Sequence, residues 1–171
     1  MNRRTALTTT AVLWSGLILG TGNVLAQQKS LKEQLIGTWV FVSSVDTNKD
    51  GTKTDRWGPN AKGLAIFDSN GHVSFMITRS DIPKFAVNNV NQGTAAENTA
   101  VVHGMIAWIG TWSVDEASKT LTTNIVAGSF PNLVGNSQKR TITSLTADEL
   151  KYTNPASSNG TVTDAVWKRA K

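Results

Sequence analysis

Arg79 and Arg140 are the residues whose type and position best suit chemistry with an anion. Side chains alternate between the two faces of a strand, so residues two apart share a face. Each arginine shares its face with apolar residues, namely Val73, Phe75 and Ile77 for Arg79 and Ile142 for Arg140. An enclosed guanidinium must be paired, and it suits a planar carboxylate or enolate. We therefore expect both arginines to point into an interior and to anchor a ligand; the alternative is a position at the rim, bonded to Glu97 or to a backbone carbonyl.

The apolar part of such a ligand would lie against aromatic residues. Trp108, Phe75 and Phe130 are the candidates, since small-molecule pockets are lined mostly by apolar side chains with a few polar anchors. His103 and Glu97 lie in a predicted helix beside these segments. His103 lies in the last helical turn, where a cation interacts favourably with the helix dipole. The alternative is that it supplies an acid or base from a lid. The sequence thus predicts a ligand that is anionic or enolic and has an apolar body.

Metal and thiol chemistry have little support. The chain has no Cys, and His72 and His103 stand far apart without ligand spacing. The run from Asp46 to Gly51 begins like a calcium loop, but Trp57 occupies the twelfth position, where a bidentate Glu is needed. A solvated hairpin turn is the better interpretation of that run. We expect no metal site and no cofactor.

The elements that must position these residues are short β-strands. Thr, Val and Ile dominate the segments, and Asn70-Gly71 between two apolar runs is a strong hairpin signal. The predicted strands are Trp39 to Val45, Lys62 to Phe67, His72 to Arg79, Met105 to Val114, Thr120 to Ala127, Lys139 to Leu145, Glu149 to Thr153 and Val162 to Arg169. About eight strands at regular spacing predict an all-β sandwich or barrel.

Two capping boxes predict the only helices of this domain. Ser30 with Glu33 begins a short helix that ends before Gly37, and Thr94 with Glu97 begins a second one that ends near Gly104. The second helix lies in a long excursion between two strands, from residue 81 to residue 104. Excursions of this length are usually functional, so it is either a lid or a plug for one barrel end.

Residues 1–26 have the pattern of an export signal. Arg3 and Arg4 precede a short apolar run, and Val24-Leu25-Ala26 fits a cleavage site before Gln27. The run is too short to span a bilayer, so we expect a periplasmic or secreted domain of residues 27–171 without a membrane span. The general secretory and twin-arginine routes both stay open. The chain's net charge of +5 is spread along the sequence, which does not favour nucleic-acid binding.

Several segments in order resemble the lipocalin-like domain family of small bacterial and fungal proteins. They are Leu35-Ile36-Gly37-Thr38-Trp39, Trp57 to Gly63, Asp68 to His72, Arg79 with Pro83-Lys84-Phe85, Ile106 to Trp112, Phe130-Pro131-Asn132 with Gly135, Gln138-Lys139-Arg140 and Val166 to Arg169. The resemblance implies a single antiparallel calycin-type β-barrel with a short N-terminal helix and one inserted helix or lid. It also implies that Arg169 stacks on a barrel-closing Trp39. One departure is Asn124, where the family pattern leads us to expect a His.

These observations favour an exported lipocalin-like barrel that binds a small, partly apolar organic molecule without changing it. Two alternatives stay open. One is a cofactor-independent isomerase, cyclase or hydratase on the same barrel, using Arg79, Arg140, Glu97 and His103. The other is an envelope structural or stress protein whose barrel is filled by its own side chains. Fold alone assigns no reaction.

Overall fold

A computed structural model describes residues 29–171 of the chain. The predicted export signal, residues 1–26, lies outside the described residues. Two helices and nine strands follow one another as α1 (Leu31–Leu35), β1 (Gly37–Thr47), β2 (Lys53–Thr54), β3 (Lys62–Phe67), β4 (His72–Thr78), α2 (Ala95–Gly104), β5 (Met105–Asp115), β6 (Thr120–Gly128), β7 (Ser137–Leu145), β8 (Glu149–Asn154) and β9 (Val162–Arg169). Short 3-10 helices cover Val90–Gln92 and Pro131–Leu133.

The strands form a closed antiparallel barrel. Sequential neighbours pair from β3 through to β9, β1 pairs with β3, and β9 pairs back with β1 to complete the ring. The two-residue strand β2, which the sequence pattern did not predict, pairs only with the end of β1. Closure leaves the ring strands without free edges. The predicted all-β barrel is confirmed, including both capping boxes and the helices they begin.

One end of the barrel is closed by α1 and by an aromatic stack. The indole Nε1 of Trp39 donates to the Leu35 carbonyl at 2.8 Å, and the Arg169 guanidinium lies 4.1 Å from the centre of the Trp39 ring. Arg169 also donates to the carbonyls of Gln34, Ile36 and Ala147. The predicted stacking of Arg169 on Trp39 is confirmed. This arginine joins the helix, the first strand and the β7–β8 turn.

The core occupies the barrel interior and is rich in aromatic residues. Trp167 is fully buried, packs edge-on against Phe41 at 5.2 Å between ring centres, and lies 5.4 Å from Phe75. Leu121 and Ile125 of β6 also face inward, whereas Asn124 between them is exposed. The departure at Asn124 therefore lies on the outer face, where it bonds Thr111 and Ser137.

The opposite end of the barrel carries the longer connections. Loops β1–β3, β4–β5, β6–β7 and β8–β9 all emerge there, and α2 lies within the β4–β5 excursion. The run after Asp46 is a tight turn, in which Asn48 pairs with Thr52 and Asp50 accepts from the Thr52 amide. None of the helices in residues 29–171 combines the length and apolar character needed to cross a bilayer.

Candidate functional site

An inner cavity opens within the barrel just below the end that carries the long loops. Its volume is about 60 Å³, which is room for roughly two water molecules at about 30 Å³ each. Phe75 and Ile77 of β4, with Ile106 and Trp108 of β5, form an apolar wall. Trp57 and Leu133, both buried, complete the lining from the loops. The barrel is therefore only partly filled by its own side chains.

The wall facing β4 and β5 is polar. It comes from four adjacent strands, β7, β8, β9 and β1, and consists of Arg140, Tyr152, Asn154, Thr163, Ser44 and Asp46. Thr163 pairs directly with Asp46 on one side and with Asn154 on the other. Arg140 and Asn154 each lie one residue beyond the paired Thr141 and Thr153. A row of interior polar residues thus runs from Arg140 to Asp46 across the four strands.

Arg140 is the buried cation of this wall. Only 4% of the residue is exposed, and its Nη1 and Nη2 donate to Thr123 Oγ1 at 2.9 Å and to Gln138 Oε1 at 2.7 Å. Its guanidinium lies 5.4 Å from the Trp108 ring centre and 5.6 Å from that of Tyr152. No Asp or Glu of residues 29–171 forms an ion pair with it. Its partners are neutral groups and aromatic faces, and three of the five N–H groups that a guanidinium carries donate to no acceptor within residues 29–171.

Arg56 stands at the neck of the inner cavity. Its guanidinium lies 4.6 Å from the Trp57 ring centre, and Nη1 donates to Ser158 Oγ at 3.3 Å. Burial lowers the pKa of Arg56 from its ordinary value, because it disfavours the charged form, and the negative charge of Asp46 offsets part of that effect. An arginine stays protonated at neutral pH even so. A second positive charge therefore borders the cavity.

An outer cleft of about 590 Å³ adjoins the inner cavity. Arg56, Ile106 and Ser158 line both spaces, so they lie between the two. Val101, Val102 and His103 of α2 form one side of the outer cleft, and Phe130 lies on its lining from the β6–β7 loop. His103 and Phe130 are both exposed. The structure thus places Trp108 and Phe75 at the inner cavity and Phe130 and His103 at the outer cleft.

Arg79 does not reach the cavity, contrary to our expectation from strand alternation. Strand β4 ends at Thr78, and the Arg79 amide instead donates to the Gly104 carbonyl at 2.8 Å. The half-exposed side chain donates from Nε to Asp81 Oδ1 at 2.8 Å and reaches the Arg56 carbonyl. This hydrogen-bonded pair raises the pKa of Arg79 and lowers that of Asp81. Alternation fails here because it holds only while the chain remains a strand.

Glu97 is also outside the cavity and organises the β4–β5 excursion. Its carboxylate accepts from the amide and hydroxyl of Thr94, which is the capping box of α2, and from the Ala86 amide at 2.6 Å. These backbone donors lower the pKa of Glu97 from its ordinary value. Arg79, Glu97, His103 and Arg140 are therefore not brought together as a catalytic group. Residues 29–171 also contain no cluster of three or more His, Cys, Asp or Glu side chains suited to a metal.

Sequence reasoning missed Ser44, Asp46 and Arg56 as cavity residues. A β-bulge between Phe41 and Ser43 reverses the alternation of β1, so that Ser44 and Asp46 turn inward after Trp39 and Phe41. Asp46 is 2% exposed and accepts from Asn159 Nδ2 and Thr163 Oγ1, each at 2.6 Å. Ser44 Oγ is buried and has no hydrogen-bond partner within the described part of the chain. Arg56 lies in a loop, where alternation gives no direction.

The family model described as a lipocalin-like domain matches residues 36–170. The chain belongs to the lipocalin-like domain family. No curated protein matches it significantly. Solved structures similar to it include a redesigned β-barrel, at 16% identity over 84% of this chain and 100% of that one with a TM-score of 0.43. A bovine odorant-binding protein in complex with a selenium-containing odorant has 15% identity, 84% and 74% coverage and a TM-score of 0.43. A biogenic amine-binding protein has 12% identity, 81% and 66% coverage and a TM-score of 0.42.

Proposed function

We propose that this lipocalin-like barrel binds a small organic anion with an apolar body, and that Arg140 receives the anionic group. The observation that carries the proposal is a buried guanidinium with no carboxylate partner among residues 29–171. Removing an ion from water costs several kcal/mol, and neutral hydrogen bonds offset only part of that cost. A carboxylate or enolate ligand would supply the missing countercharge and accept the remaining N–H groups.

The two spaces suit the two parts of such a ligand. The inner cavity, about 60 Å³, has room for a compact anionic group beside Arg140. The larger outer cleft lies on the other side of Ile106, where Val101, Val102 and Phe130 offer apolar surface. Phe75 and Trp108 stack with ring centres 4.7 Å apart and present a flat wall inside. An amphiphilic anion would therefore lie with its charged end innermost.

Phenylacetate and its neutral, nearly isosteric amide, phenylacetamide, test this function. We expect calorimetry or NMR titration to show that the protein binds phenylacetate more tightly than the amide. Arg140→Met should weaken phenylacetate binding by about 2–4 kcal/mol, roughly 30-fold or more in Kd, while changing the amide much less. Arg79, which is paired with Asp81, provides the control. Arg79→Gln should change the Kd of neither phenylacetate nor phenylacetamide. Equal losses for both probes in Arg140→Met would contradict an anion site.

Export to the periplasm or the outside of the cell is the second part of the proposal, supported by the pattern of residues 1–26. The mature protein should begin at Gln27. Mass analysis of the intact protein recovered from an exporting host measures this, and a chain that keeps Arg3 and Arg4 would contradict it.

A further inference from the structure

We infer that the bound anion also carries a hydroxyl group, which hydrogen bonds to Ser44 and Asp46 at the end of the polar wall away from Arg140. This inference rests on the proposed function and narrows its ligand class to hydroxy acids. Three features of the inner cavity support it: an unpaired serine, the carboxylate beside it and the balance of charge.

Ser44 is the unpaired serine. The residue is 4% exposed, its Oγ has no hydrogen-bond partner within residues 29–171, and it lines the inner cavity. Buried hydroxyls in native proteins are nearly always hydrogen-bonded, and an orphan needs an explanation. Its direct partner on β9 is Ala165, whose small side chain leaves space beside Ser44 on the cavity lining. A polar group of the ligand is the partner that this site lacks.

Asp46 is the carboxylate beside Ser44. It follows Ser44 by two residues on the same inward face and lines the same cavity. Asn159 and Thr163 each donate one hydrogen bond to it, one to each carboxylate oxygen. An ionised carboxyl has about four lone-pair sites, so each oxygen keeps acceptor capacity. Ser44 and Asp46 together thus form a receptor for a hydrogen-bond donor.

Charge decides what kind of donor fits. Arg140 and Arg56 bring two positive charges to the cavity and Asp46 brings one negative charge, so the lining is positive by one. A hydroxy acid anion balances that charge while its neutral hydroxyl reaches Asp46. A zwitterionic amino acid has no net charge, so it would leave the positive charge of the lining unbalanced. Its ammonium would also compete with the Arg56 guanidinium for electrostatic interaction with the Asp46 carboxylate. The lining therefore favours a hydroxyl over an ammonium.

Matched probes distinguish these ligands in the wild-type protein. Phenylacetate, mandelate and phenylglycine differ only in a hydrogen, a hydroxyl or an ammonium on the carbon next to the carboxylate. The pair 3-phenylpropanoate and 3-hydroxy-3-phenylpropanoate places the hydroxyl one carbon further away. We expect the hydroxylated member of at least one pair to bind about three- to tenfold more tightly, the gain that one net hydrogen bond brings. Phenylglycine should bind no more tightly than phenylacetate.

Ser44→Ala tests the position of the hydroxyl. The variant should fold with an unchanged or higher Tm, because it removes an unpaired polar atom, and it should abolish the preference for each hydroxylated probe over its matched parent acid. Ser43→Ala is the matched control, since Ser43 is exposed on the outer face of the same strand. Asp46→Asn is a second variant and should reduce the same preference.

The outcomes separate the two proposals. If phenylacetate binds but no hydroxylated probe binds more tightly, or if phenylglycine binds most tightly, the hydroxyl inference is overturned and the anion site stands. If Ser44→Ala keeps the full preference, the inference is also overturned. If none of the carboxylates binds, both the inference and the proposed function fail.

Discussion

Arg140 and Arg169 show how differently one residue type is used within a single barrel. Arg169 donates to three backbone carbonyls at the closed end and stacks on Trp39. The partial negative charges of the carbonyl oxygens and of the ring face stabilise its positive charge. Arg140 has two neutral side-chain acceptors and lies near two aromatic rings in a nearly closed space. The first arginine holds elements together, whereas the second is left short of negative charge.

This contrast predicts opposite stability effects for the same substitution. Arg140→Met removes an uncompensated buried charge, and the flexible Met side chain packs well against aromatic rings. In the absence of ligand its free energy of unfolding should be between unchanged and about 2 kcal/mol higher than that of the wild type. Arg169→Met should lower it by about 2–4 kcal/mol, because three backbone carbonyls, two of them part-buried, lose a charged donor and Trp39 loses the cation stacked on it. Denaturant unfolding measures both, and a large loss in Arg140→Met would show that this arginine is structural.

Arg79 differs from both of these arginines, because it lies at the rim of the barrel and pairs with a carboxylate. Its ion pair with Asp81 is half-exposed, with 39% and 63% of the two side chains accessible, and pairs of that kind contribute about 0–1 kcal/mol. Arg79→Gln should therefore change the free energy of unfolding by less than about 1 kcal/mol. Its phenylacetate affinity should match that of the wild type. Titration and denaturant unfolding check both expectations; a large loss of affinity would place Arg79 in the site after all.

At the scale of elements, the position of each strand follows from sequence much better than the direction of individual side chains does. Period-two patterning and turn residues located all the ring strands, because burial of one face determines that pattern. The bulge in β1 changes that direction at one point, so Trp39 and Asp46 both face inward although they are an odd number of residues apart. Nothing in Val42-Ser43-Ser44 marks the bulge. Asp46 therefore looked like part of a turn, and the inward direction of Ser44 and Asp46 stayed hidden.

Close approach of β5 and β6 gives an element-scale prediction. A Cβ on Gly110 would lie 2.0 Å from the Asn124 carbonyl oxygen, beside the irregular pairing between Ile109 and Gly110. Backbone cannot yield as a flexible side chain can, so Gly110→Ala should cost about 3–5 kcal/mol of unfolding free energy. Gly160→Ala is the control. Its Cβ would meet nothing within 4 Å, and only the left-handed φ of 80° is strained, at about 1–2 kcal/mol. Similar losses in the two variants would contradict the role of the close approach.

Protonation of Glu97 at low pH should destabilise the β4–β5 excursion. The amides of Thr94 and Ala86 hold the pKa of Glu97 below its ordinary value. A carboxyl with a depressed folded-state pKa stabilises the fold fully above its unfolded-state pKa, and the contribution is lost as pH falls through the lower, folded-state pKa. Hydrogen exchange, corrected for its intrinsic pH dependence, should therefore show weaker protection of the Thr94 and Ala86 amides in acid. Glu97→Ala should show the weaker protection already at neutral pH. If protection in the wild type were independent of pH, the carboxylate would not be what holds the excursion.

At the scale of the whole molecule, the two barrel ends divide stability and binding between them. The closed end combines α1, Trp39 and Arg169, whereas the other end holds the polar wall beneath four long connections. A small second void of about 10 Å³, lined by Leu121, Leu150 and Trp167 among others, lies against Arg140 from the core side. The interior thus changes from tightly packed aromatic groups to charged and polar groups along the barrel. Ring closure links both ends through the backbone, and the contacts described for Arg140 and for Arg169 have no residue in common.

Independence of the two ends predicts how a ligand changes stability. A ligand that binds only the folded protein raises the free energy of unfolding by about 2.7 kcal/mol when its concentration is 100 times Kd. Phenylacetate at that concentration should therefore raise the wild-type Tm by about 5–10 °C. Arg140→Met at the same ligand concentration should show at most about a third of that rise. Arg169→Met should begin from a lower Tm and still gain about the same free energy, because distant changes without shared partners add. Thermal unfolding with and without phenylacetate measures all three. A gain that persists in Arg140→Met, or that disappears in Arg169→Met, would show that the anion binds elsewhere or that the two ends are coupled.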